Sequence, residues 1–104
     1  MAIAHKLKRA DLEGANLFRV DLISANLQAA NLYGATLFKA NLHGANLSGA
    51  KLSDVDLREA NLSDAGLHDA TLNRAYLGGA DLSGADLGDT NLEEANYNKD
   101  TKWP

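Results

Sequence analysis

The stretch "ANLHGANLSGAKL", residues 40–52, repeats one five-residue phrase almost three times. The phrase extends through most of the chain, because leucine occupies every fifth position from Leu7 to Leu92 without a break and Tyr97 follows in the same register. Alanine usually lies two residues before each leucine, and asparagine or aspartate usually lies directly before it. A short fixed period of this kind is typical of a repeat architecture, in which each unit packs mainly against its neighbours.

A period of five fits neither a straight helix nor a flat strand. On a helix, successive leucines would step by about 140° and would wind around the cylinder. On a strand they would point to opposite faces in turn. The period therefore predicts short extended segments joined by corners, because each corner resets the alternation and lets every leucine point inward.

The same geometry assigns the other positions of the phrase. The alanine two residues before the leucine has the same parity and is predicted to point inward, while the asparagine or aspartate between them points outward. A corner is expected two residues after each leucine, where a permissive φ is useful. Six of the nine glycines occupy that position: Gly14, Gly34, Gly44, Gly49, Gly79 and Gly84.

The segment "ADLEGANLFRVDLISANLQAANL", residues 10–32, resembles the pentapeptide repeat family, and the resemblance extends over about residues 5–99. It implies an all-β fold, a right-handed quadrilateral β-helix with four pentapeptides in each coil and four to five coils in total. The twenty-residue coil comes from this resemblance, since the sequence itself shows only a period of five. We expect a single domain over residues 1–104, with a short C-terminal cap at 100–104.

Composition narrows the function classes. A chain of 104 residues with 45% hydrophobic residues fits one domain, and the absence of cysteine excludes disulfides and thiolate chemistry. No apolar run has the length of a signal peptide or membrane span, so we expect a cytoplasmic protein without a membrane partner.

His5, His43 and His68 fall on different columns of the coil without a ligand-like acidic cluster, which predicts no metal site. No catalytic constellation or cofactor motif is found, so no enzymatic activity is expected.

Function is expected at outward positions. Grouping residues by twenty places Phe18 beneath Phe38 on one face, with Ile23 and Tyr33 on the faces either side. These four residues are the predicted partner-binding surface for an unidentified protein, because contiguous exposed apolar area usually marks a contact site. The alternative is an aromatic ladder that stabilises the sheet surface. Asn26 with Asn46, and Asn41 with Asn61, would stack one coil apart, and we expect structural hydrogen bonding there, for which side-chain amide ladders are one available form.

Charge is distributed unevenly and suggests a second function. The chain carries +3 through Lys51 and −7 after it, for a net charge of −4. Family members that confer quinolone resistance resemble DNA in shape and charge and bind DNA gyrase, so DNA mimicry is an alternative. This chain is shorter, less acidic and uniformly leucine in its core, which departs from that pattern. Direct nucleic-acid binding is not expected, because Lys6, Lys8 and Arg9 lack an interleaved aromatic platform.

The ends of a solenoid need covering, because they expose strand edges and core leucines. Tyr97 and Trp103 are expected to cover the final coil or to contact a second copy in an end-to-end homodimer. The ending "YNKDTKWP", residues 97–104, resembles the closing segment of bacterial, particularly cyanobacterial, members of the family. The sequence favours a non-enzymatic protein-interaction or structural scaffold. A truncated or idealised chain without a function of its own is a further alternative.

Overall fold

The fold is a continuous four-sided coil, which a computed structural model describes for residues 6–104. His5 and the four residues before it, where the predicted domain begins, lie outside the described residues. Each pentapeptide contributes one parallel β-bridge, from Asp11–Asn31 at the start to Asp81–Lys102 at the end, and the bridges before the last join residues twenty apart. The extended segments are therefore single bridge positions, and the predicted twenty-residue coil is confirmed.

A tight turn forms each corner of the coil. The residue two positions after every leucine from Leu7 to Leu92 has a positive φ, between 55° and 71°, whether it is glycine or not. The leucine carbonyl accepts a hydrogen bond from the backbone N–H three residues on, as in the 3.0 Å bond from Ala50 N to Leu47 O. A positive φ at the third position is the pattern of a type II turn. These turns reset the alternation as the period predicts.

Hydrogen bonds between coils satisfy the backbone with a regular pattern in the middle of the rod. The N–H of Leu47 donates to Gly66 O at 2.7 Å, and the N–H of Gly49 donates to His68 O at 2.9 Å. In the other direction, Asn46 N donates to Ala25 O at 2.9 Å. Because the same bonds recur in each pentapeptide, the backbone holds neighbouring outward side chains at one fixed spacing, about 4.8 Å between coils.

Leucine and alanine fill the interior, as predicted. The leucines from Leu27 to Leu82 are fully buried, and each contributes roughly 1.5–3 kcal/mol relative to an exposed position. The leucines near the ends of the described coil are only partly buried: Leu7, Leu12, Leu17, Leu87 and Leu92. Across residues 6–104, every buried side-chain nitrogen and oxygen has a hydrogen-bond partner.

The last coil contains one residue more than the others. Asp81 bridges Lys102, twenty-one residues on, because the turn from Asn98 to Thr101 takes in an extra residue. Thr101 occupies the alanine position, is buried, and donates its hydroxyl to Leu77 O at 2.9 Å. The shifted register places Trp103 in the leucine position above Leu82, and its ring meets that of Tyr97 edge to face at 5.6 Å.

The four asparagines of the two predicted pairs make hydrogen bonds within their own repeats and do not form amide ladders with each other. Asn26 and Asn46 lie one coil apart, but each Oδ1 accepts the backbone N–H two residues later, from Gln28 at 3.1 Å and Ser48 at 3.0 Å. Asn41 and Asn61 behave in the same way. The expected structural hydrogen bonding of these asparagines is therefore confirmed, and it takes the form of local Asx turns instead of ladders between coils.

Candidate partner-binding site

Phe18 and Phe38 form a stacked pair on one face of the rod. Both follow a leucine and they lie twenty residues apart, so the coil places one above the other. Their ring centroids are 5.8 Å apart with an interplanar angle of 18°. The backbone fixes this arrangement through the bond from Arg19 N to Phe38 O at 3.0 Å. Phe18 is 52% exposed, so the pair presents apolar surface to solvent.

Three cations surround the two rings. Arg19 Cζ lies 5.6 Å from the centroid of Phe18, and Lys39 Nζ lies 5.4 Å from the centroid of Phe38. Arg58, the next residue in the same column, places its Cζ 5.1 Å from the centroid of Phe38. Each distance is within the range of a cation–π contact. The face therefore combines aromatic surface with positive charge.

Arg58 differs from the other two cations because it has a carboxylate partner. Its Nε and one terminal nitrogen donate to the two oxygens of Asp56 at 2.9 and 2.7 Å. This bidentate contact lowers the pKa of Asp56 below its usual value. Arg58 thus lies over Phe38 with its charge paired to Asp56.

Ile23 and Tyr33, the other two predicted site residues, are exposed but lie on different faces from the stacked pair. Ile23 follows the corner after Arg19. Tyr33 precedes Phe38 by one pentapeptide, and the carboxylate of Asp54 nearby raises its pKa. Of the four predicted residues, only Phe18 and Phe38 stack as an aromatic pair within the described part of the chain.

Sequence reasoning missed the two cations of this face, Arg19 and Lys39, and an exposed tyrosine farther along the rod. Tyr76 is 49% exposed and occupies the asparagine position of its repeat, on the same side of the coil as Phe18 and two coils beyond Thr36. The tyrosine that replaces the usual asparagine at this position is the sequence signal that could have identified it. Arg19 and Lys39 lie directly after the two phenylalanines in sequence, and the same grouping by twenty could have found them as a pair.

The structure corrects the expectation that no histidine lies beside an acidic cluster. His68 Nε2 lies 3.3 Å from a carboxylate oxygen of Asp69. Asp89 lies one coil beyond Asp69, and these three side chains can each offer a ligand atom within 4.8 Å of the others. All three are exposed, and such groups are common on surfaces that bind no ion. His5 lies outside the described residues.

Arginines also neutralise part of the acidic half. Arg74 donates to both oxygens of Asp54, from Nε at 2.8 Å and from a terminal nitrogen at 3.2 Å. Arg74, followed by Tyr33, lowers the pKa of Asp54. With Asp56 bound to Arg58, two acids of the middle coils have positive partners, which interrupts the negative surface that DNA mimicry requires.

The shape of the rod offers few enclosed sites. Over residues 6–104 the surface contains no pocket, whereas small-molecule sites are usually concave and mostly apolar. The stacked face is thus a flat surface rather than a cleft.

The same part of the chain has no helix with the length and apolar character needed to cross a bilayer.

Comparison with known proteins identifies relatives by sequence and structure. The family model described as pentapeptide repeats matches residues 6–44, 15–54, 40–79 and 75–96. A pentapeptide repeat protein from the thylakoid lumen of Arabidopsis thaliana is 36% identical, with a TM-score of 0.71 over 86% of this chain. This chain covers 59% of that protein. None of the curated proteins matches the chain.

Two other solved structures are similar at lower TM-scores. A pentapeptide repeat protein from Nostoc is 38% identical over 92% of this chain and 75% of its own, with a TM-score of 0.45. The plasmid-mediated fluoroquinolone resistance protein QnrB1 is 16% identical over 88% of this chain and 64% of its own, with a TM-score of 0.36. Neither superposition supports a functional argument, and the second gives no support to gyrase binding.

Proposed function

Because this chain belongs to the pentapeptide repeat family and adopts its right-handed quadrilateral β-helix, we propose that it is a non-enzymatic scaffold that binds a protein partner. The proposed contact is the stacked pair of Phe18 and Phe38. The observation that carries the proposal is this outward aromatic pair, with Phe18 exposed and Phe38 half-buried, on a rod whose interior is already filled by leucine and alanine.

Stacking alone is a weaker explanation for the two phenylalanines. An exposed cross-strand aromatic pair contributes roughly 0.2–1 kcal/mol, whereas the backbone bonds and buried leucines already hold these coils together. A large exposed aromatic group surrounded by cations resembles the centre of a protein interface, where aromatic residues and arginine are enriched. Contact with a partner would bury this surface.

The remaining elements of the proposal are the compartment and the class of activity. We expect a cytoplasmic location, and cell fractionation with an antibody to this chain would test it, with enrichment in a membrane-enclosed compartment as the contrary result. We expect no turnover chemistry, since the candidate surface is flat and scaffolding requires only binding. Gyrase binding by DNA mimicry remains the alternative outcome of the experiment below.

Crosslinked capture from a bacterial lysate tests the proposal. Three proteins are compared: the wild type, a Phe18→Ser/Phe38→Ser double variant, and a Tyr76→Ser variant as the matched control. Tyr76 is an exposed aromatic residue on the same side of the rod, outside the stacked pair. The wild type and the control should capture the same partner, while the double variant should lose it with its unfolding midpoint nearly unchanged.

The outcomes separate the scaffold from its alternatives. Capture that is equal in all three proteins contradicts the assignment of the stacked pair. Recovery of gyrase from all three at low salt, and its loss at high salt, indicates that acidic columns form the binding surface. A second double variant, Ile23→Ser/Tyr33→Ser, determines whether the neighbouring faces contribute, as the sequence predicts.

A further inference from the structure

Arg19 and Lys39 form a like-charge pair on adjacent coils. Both occupy the positive-φ corner position, with φ values of 57° and 59°, and they lie twenty residues apart. The turn geometry therefore places one above the other at the spacing of adjacent coils, about 4.8 Å. Two exposed positive side chains on adjacent coils repel each other, and an anion placed between them would relieve the repulsion.

Neither member of this pair has a carboxylate partner among the described residues. Over residues 6–104, the ion pairs are those of Arg58 with Asp56 and Arg74 with Asp54, and the imidazole of His68 contacts Asp69. Glu59 follows Lys39 in the same corner column, but it is not within ion-pair distance of Lys39. The two charges instead lie over the aromatic rings that precede them in sequence.

The arrangement defines the chemistry of a matching ligand. The rings of Phe18 and Phe38 offer apolar contact, and Arg19 and Lys39 supply positive charge along one edge of the same surface. A ligand that matches both parts has a carboxylate next to an aromatic or large aliphatic group. Arginine forms directed hydrogen bonds to carboxylates, and lysine adds a mobile point charge.

A protein segment fits this surface better than a nucleic acid does. Glu13 lies on the preceding side of the first coil, and Asp21 lies on the following side. A phosphate backbone crossing the face would meet these acids, and the chain as a whole carries a net charge of −4. A peptide that presents one or two carboxylates can avoid them.

We propose that the partner segment bound at Phe18 and Phe38 is acidic, with a carboxylate held between Arg19 and Lys39 and a neighbouring apolar side chain against the rings. This inference rests on the proposed function, because it specifies the partner chemistry of the same site. It assigns recognition to the cationic pair and contact area to the aromatic pair.

A titration with defined probes tests the assignment. The probes are a short peptide with the central sequence Glu-Trp-Glu, its Gln-Trp-Gln counterpart, and a single strand of thymidine nucleotides. Binding to isotope-labelled, full-length protein is followed by NMR, which reports both affinity and the residues that respond. The tested variant is Arg19→Gln/Lys39→Gln, and the control variant is Arg9→Gln/Lys51→Gln, which removes equal charge away from the rings.

The wild type should bind the glutamate peptide about tenfold more tightly than the glutamine peptide, with shifts centred on Phe18 and Phe38. The Arg19→Gln/Lys39→Gln variant should lose this preference, while the control variant should keep it. Because both variants carry the same net charge, a difference between them reports the position of the charge. Each variant keeps the aromatic pair.

Contrary results are distinguishable from failure of the scaffold proposal. Equal affinity for the glutamate and glutamine peptides at Phe18 overturns the acidic assignment and leaves the aromatic contact standing. Tighter binding of the nucleotide strand at these residues overturns it in favour of nucleic acid. If no peptide perturbs this face, the acidic assignment fails, and the capture experiment with Phe18→Ser/Phe38→Ser independently decides whether a partner uses the face.

Discussion

Two glycine-to-alanine substitutions should have opposite effects on stability. Gly49 lies at a corner with a φ of +66°, and a Cβ added there would meet no atom within 4 Å. Gly66 lies at a bridge position outside the positive-φ region, and its Cβ would meet only ordinary contacts, the nearest at 3.9 Å from Asn46 Oδ1. The comparison therefore separates the backbone cost of the corner from steric crowding.

The magnitudes follow from the backbone. Alanine at a left-handed φ costs about 1–2 kcal/mol, partly offset by about 0.4–1 kcal/mol from the less flexible unfolded chain. Gly49→Ala should therefore lower the free energy of unfolding by about 0.8 kcal/mol, within a range of about 0–1.6 kcal/mol. Gly66→Ala carries no cost from a left-handed φ, so only the reduced flexibility of the unfolded chain acts. This substitution should raise the free energy of unfolding by about 0.4–1 kcal/mol.

Denaturant unfolding of both variants and the wild type, followed by circular dichroism, measures these changes. The midpoints should move in opposite directions with a common m-value. In thermal unfolding, each kcal/mol corresponds to about 4–8 °C for a domain of this size. Shifts of the same sign and size at Gly49 and Gly66 would refute the reasoning, because the corner would then have no special backbone requirement.

Two further predictions concern the core and the ion pairs. Leu52→Ala should lower the free energy of unfolding by about 2–5 kcal/mol because Leu52 is fully buried, whereas Leu92→Ala, at a partly buried position, should cost less than about 2 kcal/mol in the same denaturant titration. Arg74→Gln should destabilise the protein at pH 7 and lose its effect in acid. The pKa of Asp54 is depressed in the folded state, so the stabilisation is present above the usual aspartate value of 3.8 and disappears as pH falls through the lower folded value. Unfolding curves of wild type and variant between pH 7 and pH 2 measure the difference, and one that persists at pH 2 contradicts the assignment.

Most of the fold could be predicted from the sequence because one short rule determines it. The inward direction of leucine and alanine follows from their parity. The glycines mark the corners of some repeats, and in the other repeats residues such as Ala29 and Asp54 occupy the same corner position. The coil length could not be derived in this way, because a period of five is compatible with several numbers of sides. It required the resemblance to known repeats.

The candidate site was only partly predictable. Grouping by twenty found the aromatic pair, but the lean of Arg19 and Lys39 over their rings depends on side-chain rotamers that a repeat pattern does not determine. The extra residue in the turn from Asn98 to Thr101 was not predicted, because Tyr97 keeps the five-residue register and the extra residue comes after it. The cluster of His68 with Asp69 and Asp89 was not predictable from the columns of the three histidines, because both acids lie in the neighbouring column.

Side chains that lie one above the other on this surface are separated by twenty residues in sequence. Phe18 and Phe38 meet by this rule, as do Arg19 and Lys39, whereas residues five apart lie on different faces. A motif search over short windows therefore detects the architecture and misses the surface. Because the backbone repeats with little variation, the identity of two or three outward side chains in one column determines the local chemistry. Interaction specificity in such a rod can change by substitution within a column while the leucine core that holds the column stays the same.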